Sequence, residues 1–95
     1  MIYDLIFTKQ SQKEWNKLGH TIASQFKKKL QERLINPKIQ KDKLSGYNNV
    51  YKIKLKSSGF RLVYEVIDDR VIVLVLTIAK RENDKVYRTL EDRIL

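Results

Sequence analysis

The chain has 95 residues, 42% of them apolar and 33% charged, with three Gly, one Pro and no Cys. That is enough to bury one core, so a single domain over residues 1–95 is expected, and the lack of cysteine removes disulfide frameworks, thiolate zinc sites and cysteine nucleophiles together. Twenty Lys and Arg against eleven Asp and Glu leave a net charge of +9, spread over both halves of the chain, and a field of that sign draws phosphate backbones, acidic proteins or anionic lipid.

Residues 2–7 alternate weakly and are rich in Tyr, Ile and Phe, which predicts a short strand. Ser11 followed by Glu14 reads as a capping box for a helix carrying Trp15 and Leu18 on one face, interrupted at Gly19 and His20. His20, in that bend, reads as a surface residue. From Thr21, the residues Ile22, Phe26, Leu30 and Leu34 recur every four positions, predicting a second helix that ends near Asn36 and Pro37. Lys27, Lys28 and Lys29 flank that stripe, and Lys38, Lys41 and Lys43 carry the positive charge into the following loop. Arg33 falls inside the apolar arc, where it either snorkels at the edge or pairs with a carboxylate; snorkelling is the expectation.

From Tyr51 to Lys56 the chain alternates strictly, Tyr51, Ile53 and Leu55 against Lys52, Lys54 and Lys56, so one strand face is core and the other a row of ammonium groups. Ser57, Ser58 and Gly59 then form a turn, and residues 60–67 are strand-like again. A one-residue slip would rotate Arg61 onto the apolar face beside Leu55, so an even-numbered loop is expected, setting Arg61 opposite Lys54 with Cβ atoms about 5 Å apart. Like charges opposed in this way cost stability, and their retention points to an anionic ligand. Asp68 and Asp69 read as a two-residue turn rather than a metal site, since no other carboxylate or histidine is set to complete a shell. The strand that follows, residues 70–79, is apolar on both faces and therefore central. Lys80 and Arg81 end it, and a last helix from near Asn83 or Asp84 carries Val86, Leu90 and Ile94, with Tyr87 on its flank. The longest apolar run, residues 71–79, is too short to span a bilayer, which takes roughly 20 residues. The opening residues show no basic region followed by an apolar stretch, so a cytoplasmic protein without a membrane partner is expected.

No phosphate loop, paired carboxylates or Ser/His/Asp set is present; what remains is a cationic patch with tyrosines. Such a patch can bind nucleic acid, with Tyr47, Tyr51 or Tyr87 stacking on bases. It can also cleave RNA without metal or cofactor, because RNA brings its own nucleophile, the 2′-hydroxyl. A Lys or Tyr base working near neutral pH needs its pKa lowered by about 2 to 3 units, and neighbouring positive charge does this for both. Arginine stays charged and suits stabilisation of the phosphorane.

Leu44-Ser45-Gly46, Tyr51-Lys52-Ile53-Lys54-Leu55, Ser58-Gly59-Phe60-Arg61-Leu62-Val63-Tyr64, Lys80-Arg81 and Val86-Tyr87, in an α+β order β-α-α-β-β-β-α, resemble the RelE toxins of bacterial toxin–antitoxin systems over essentially the whole chain. The resemblance implies a microbial-ribonuclease-like fold, with a mainly antiparallel four-stranded sheet, a helical hairpin and a C-terminal helix. It implies a metal-independent, ribosome-dependent endoribonuclease that cuts mRNA in the A site of the 70S ribosome. Lys52, Lys54, Arg61, Arg81 and Tyr87 match the family's functional positions. In the implied roles Tyr87 or Lys52 helps deprotonate the 2′-hydroxyl, Lys54 and Arg61 stabilise the phosphorane, and Arg81 assists the leaving 5′-oxygen. Lys27, Lys28, Lys29, Lys38, Lys41, Lys43 and Lys56 are the candidate contacts to RNA and 16S rRNA. The family further implies a RelB-like antitoxin, through which operator DNA is bound and the operon repressed. Many relatives carry a basic residue where this chain has Ser45, so altered affinity is expected there. The competing expectations are a toxin of the same fold acting on DNA gyrase and a non-catalytic RNA- or ribosome-binding module.

Overall fold

The computed structural model describes residues 2–80 and 85–94, the latter by backbone alone at 85–87, 92 and 94. The order is β1 (Asp4–Phe7), α1 (Lys9–Asn16), α2 (His20–Ile35), a 3₁₀ turn (Gln40–Asp42), β2 (Val50–Lys54), β3 (Phe60–Ile67), a second 3₁₀ turn (Asp68–Arg70), β4 (Ile72–Lys80) and α3 (Lys85–Ile94). The sheet runs β1-β4-β3-β2, with β1 parallel to β4 and the other pairs antiparallel. This is the mainly antiparallel α+β arrangement that the sequence predicts, with β4 central as its two apolar faces require.

Each face of the sheet carries its own core. Phe26 and Leu30 of α2 pack with Tyr51, Ile53, Leu55, Leu62, Tyr64 and Val73, and Trp15 and Leu18 join from the α1 side. On the other face Val50, Val63 and Leu76 bury Leu90 of α3. The odd-numbered residues of β2 therefore face the helical hairpin, and its lysines take the side of the sheet on which α3 lies.

Four local expectations are corrected. The N-cap of α1 is Thr8, whose Oγ1 accepts from the Ser11 N–H at 3.0 Å. Ser11 is buried instead, donating from Oγ to the Val75 carbonyl at 2.8 Å, while the Glu14 carboxylate accepts from the Ile78 N–H and from Arg93. β1 stops at Phe7, so these groups satisfy the edge of β4 where no strand continues. Arg33 does not snorkel: its Nη2 donates to Asp42 at 2.6 Å, and both side chains are largely buried. Between β3 and β4 a 3₁₀ turn replaces the two-residue turn, closed by Val71 in the left-handed region (φ 56°). Finally, Tyr51 is buried and stacked on Tyr64 with ring centroids 5.8 Å apart, so it does not present a face for a base.

Candidate nucleic-acid and reaction site

The β2–β3 hairpin determines where the cations stand. Leu55 N–H donates to the Phe60 carbonyl and Gly59 N–H to the Leu55 carbonyl, both at 2.9 Å, closing a four-residue loop over residues 56–59. Gly59 takes φ +78°, a conformation that costs an L side chain about 1 to 2 kcal/mol. The even-numbered loop sets Lys54 directly opposite Arg61 and Lys52 opposite Val63. Because the Leu55 N–H donates to the Phe60 carbonyl, Lys54 and Arg61, one step along the ladder, form a non-hydrogen-bonded pair, the type in which side chains approach most closely.

Lys52, Lys54 and Arg61 thus share one face, next to Val63 and the Leu90 contact of α3. Lys54 is exposed, while Lys52 and Arg61 are half-buried. Arg61 Nε is buried and has no hydrogen-bond partner among the described residues. A guanidinium nitrogen taken out of water and left unpaired costs free energy unless a ligand completes it, and an oxyanion of RNA is a fitting acceptor. Arg81 and the Tyr87 side chain lie outside the described residues. Lys80 is the neighbour from which Arg81 must be distinguished as a phosphate contact. Its ammonium sits 5.5 Å from the ring centroid of Phe60, which packs against the helical-hairpin core and so faces away from Arg61.

The remaining lysines separate into groups. Lys28, Lys29, Lys54 and Lys56 line one groove of about 540 Å³ between α2 and the end of β2, with Glu32 and Leu55. Lys43 lines a smaller cavity of about 220 Å³ with Ser45, Gly46 and Tyr47. Lys27 and Lys41 are exposed outside both. Lys38 is committed elsewhere: it donates to Asp68 Oδ2 at 2.5 Å at the opposite end of the β3–β4 pair. Asp68 also accepts from the Tyr3 hydroxyl, so the turn aspartate is engaged in this ion pair. Among the described residues no three His, Cys, Asp or Glu side chains are grouped to hold a metal ion, and no helix is long and apolar enough to cross a membrane.

Behind the cationic face lies a network that sequence reasoning left unassigned. Arg33 Nη1 donates to the Tyr64 hydroxyl at 2.8 Å and to the Lys52 carbonyl at 3.3 Å, and the Tyr64 hydroxyl donates to the Pro37 carbonyl at 2.6 Å. Burial pushes the Tyr64 phenol above its ordinary value, and the Arg33 charge opposes that rise. One signal for the network was available: Asp42 is the only acid between Glu32 and Glu65, and a basic residue in an apolar arc needs a partner.

Residues 5–85 match the family described as the ParE toxin of type II toxin–antitoxin system, parDE. The chain is 52% identical over 95 residues to the mRNA interferase toxin RelE of Escherichia coli (strain K12), covering 100% of both. A free E. coli RelE toxin carrying two arginine-to-alanine changes superposes with a TM-score of 0.91 at 50% identity, again over 100% of both chains. The toxin of the intact E. coli RelBE toxin–antitoxin complex gives 0.82 at 52% identity, over 84% of this chain and 98% of that one. Agreement of this extent in sequence and fold shows that the chain belongs to the RelE family of mRNA interferase toxins, within the ParE toxins of type II toxin–antitoxin systems.

Proposed function

We propose that this toxin is a ribosome-dependent, metal-independent endoribonuclease that cleaves mRNA in the A site of the translating 70S ribosome and so arrests translation and growth. The observation that carries the reading is the opposed pair Lys54 and Arg61, with Arg61 Nε buried and lacking a partner among the described residues. In the reaction the 2′-oxygen attacks the adjacent phosphorus as its proton leaves to Lys52 or Tyr87. The phosphorane charge is met by Lys54 and Arg61, and the P–O5′ bond breaks with electrostatic help from Arg81 as the leaving 5′-oxygen takes a proton from water, giving a 2′,3′-cyclic phosphate and a 5′-hydroxyl. No cofactor enters the reaction, because substrate and side chains supply every part of it.

Lys28, Lys29 and Lys56, grouped with Lys54 in one groove, support a track for rRNA or mRNA phosphates, and Lys27, Lys41 and Lys43 extend it. Lys38 contributes least, being paired with Asp68. The partner proposed for the resting state is a RelB-like antitoxin, attracted by the +9 charge, with which the toxin contacts operator DNA and represses its operon in the cytoplasm.

The test is mapping of message ends after induction, with wild type and Arg61→Ala. Cuts within codons that vanish with a 2′-deoxy substitution at the scissile position are expected, with plasmid supercoiling unchanged. Arg61→Ala should lower the cleavage rate on programmed ribosomes by about 10² to 10³-fold, with a much smaller change in ribosome affinity. A cut that persists at a 2′-deoxy position would exclude the mechanism.

A further inference from the structure

β2 is an edge strand. Its odd-numbered residues pair with β3 through their main-chain groups, so Lys52 and Lys54 turn their N–H and C=O groups outward, away from the ladder. At Val50 the outward carbonyl is covered by the Leu44 N–H at 2.9 Å. At Lys52 it is covered by a side chain instead, Arg33 Nη1 at 3.3 Å. That guanidinium is itself held at two further points, by Asp42 at 2.6 Å and the Tyr64 hydroxyl at 2.8 Å, and it lies 5.8 Å from the Tyr64 ring centroid. Asp42 belongs to the 3₁₀ turn, Tyr64 to β3 and Arg33 to α2, so three separate elements meet at the guanidinium that covers this one peptide of β2.

We propose that Arg33, oriented by Asp42 and Tyr64, is a positioning residue for RNA cleavage: it fixes the Lys52 peptide from behind the sheet and thereby the stance of the Lys52 side chain on the reacting face. The proposal rests on the reading of Lys52 as a reacting group. The physical reason is geometric. The outer edge of β2 is held by the short Lys43–Tyr51 bridge and, at the Lys52 carbonyl, by Arg33, and a displacement of about 1 Å of a reacting group costs on the order of 10²-fold in rate. The Arg33 charge is met by the carboxylate of Asp42, so its effect on the reaction is one of placement.

The experiment is a double-mutant cycle in single-turnover cleavage of mRNA on programmed ribosomes, using the full chain. Wild type, Arg33→Met, Arg33→Lys, Lys52→Ala and Arg33→Met/Lys52→Ala are compared by plateau rate, half-saturating toxin concentration and burst amplitude. Arg33→Met should lower the plateau rate by about 10 to 100-fold with the half-saturating concentration within about two-fold and the amplitude unchanged, and Arg33→Lys should recover part of the loss. On the Lys52→Ala background the same change should cost no more than about three-fold, because a residue acting through Lys52 has nothing left to place. Equal losses on both backgrounds, or a loss carried by amplitude, would mean that Arg33 only holds the fold and would overturn the proposal. If Lys52→Ala alone leaves the rate untouched, the assignment of Lys52 fails first and is seen to fail separately. Should Arg33→Met not fold, Asp42→Asn takes its place in the cycle, with an expected loss of about three to ten-fold on the wild-type background and none on Lys52→Ala.

Discussion

Asp68 shows how a single carboxylate ties distant parts of the chain. It accepts from Lys38 at the exit of α2 and from Tyr3 at the entry of β1, and these bonds, Lys38 first, hold its carboxyl below the ordinary carboxylate value. The same pair raises Lys38, chiefly through its bond to Asp68. Because the folded-state value of Asp68 is depressed, its contribution to stability is present above the unfolded value, about 4, and is lost as pH falls through the folded one. For Lys38 the sign is opposite: its contribution is present below the unfolded value and lost as pH rises through the folded one. Asp68→Asn should therefore lower the urea midpoint at neutral pH and converge with wild type in acid. Urea unfolding from pH 7 down to pH 3 checks this, and a gap between the two proteins that stays constant across the range would refute it. Both partners are about half exposed, so salt should shrink the gap as well.

At the scale of elements, the β2–β3 hairpin carries Lys52, Lys54 and Arg61 of the proposed site, and Gly59 shapes the hairpin. With φ +78° and open space where a methyl group at Gly59 would stand, the cost of Gly59→Ala lies in the backbone alone, and the variant should lose about 1 to 2 kcal/mol in chemical unfolding. Gly59→Asn, which tolerates the left-handed region better, should lose less, and equal losses for the two would argue against this account. The hairpin is also where the sequence was most legible. Strict alternation over residues 51–56 and the unfavourable burial of Arg61 in any slipped register determine strand, face and pairing from local information, and the observed Lys54 to Arg61 register follows. The helical stripe of Phe26 and Leu30 was legible for the same reason. The start of α1, the pairing of Arg33 and the turn before β4 were not. Ser11 and Glu14 look like local caps, but their partners are Val75, Ile78 and Arg93, far away in sequence. Arg33 depends on a loop whose course no periodicity describes.

For the molecule as a whole, the proposed site depends on how α3 is kept on the cationic side of the sheet. Its one fully buried side chain is Leu90 among those described, and a ten-residue helix is marginal without tertiary support. The support comes from Arg93, whose Nη1 donates to Glu14 Oε1 at 2.8 Å and to the Leu76 carbonyl at 3.0 Å, and whose Nη2 donates to Glu14 Oε2 at 3.1 Å. Glu14 in turn accepts from the Ile78 N–H, so one bidentate pair joins α1, the open edge of β4 and α3. Removing Arg93 leaves the Leu76 carbonyl and the Glu14 carboxylate short of a donor, whereas Glu14→Gln keeps an oxygen for Ile78 and loses mainly the charge. Arg93→Met should therefore cost about 2 kcal/mol and Glu14→Gln about half that. The loss should be local before it is global. Amide hydrogen exchange in Arg93→Met should accelerate across residues 88–94 while β3 and the centre of β4 keep their protection, since the larger core under α2 does not involve this pair. Uniform acceleration through the sheet would show that the pair holds the whole fold. Acceleration confined to α3 would show that the helix bearing Tyr87 is docked as a separable unit.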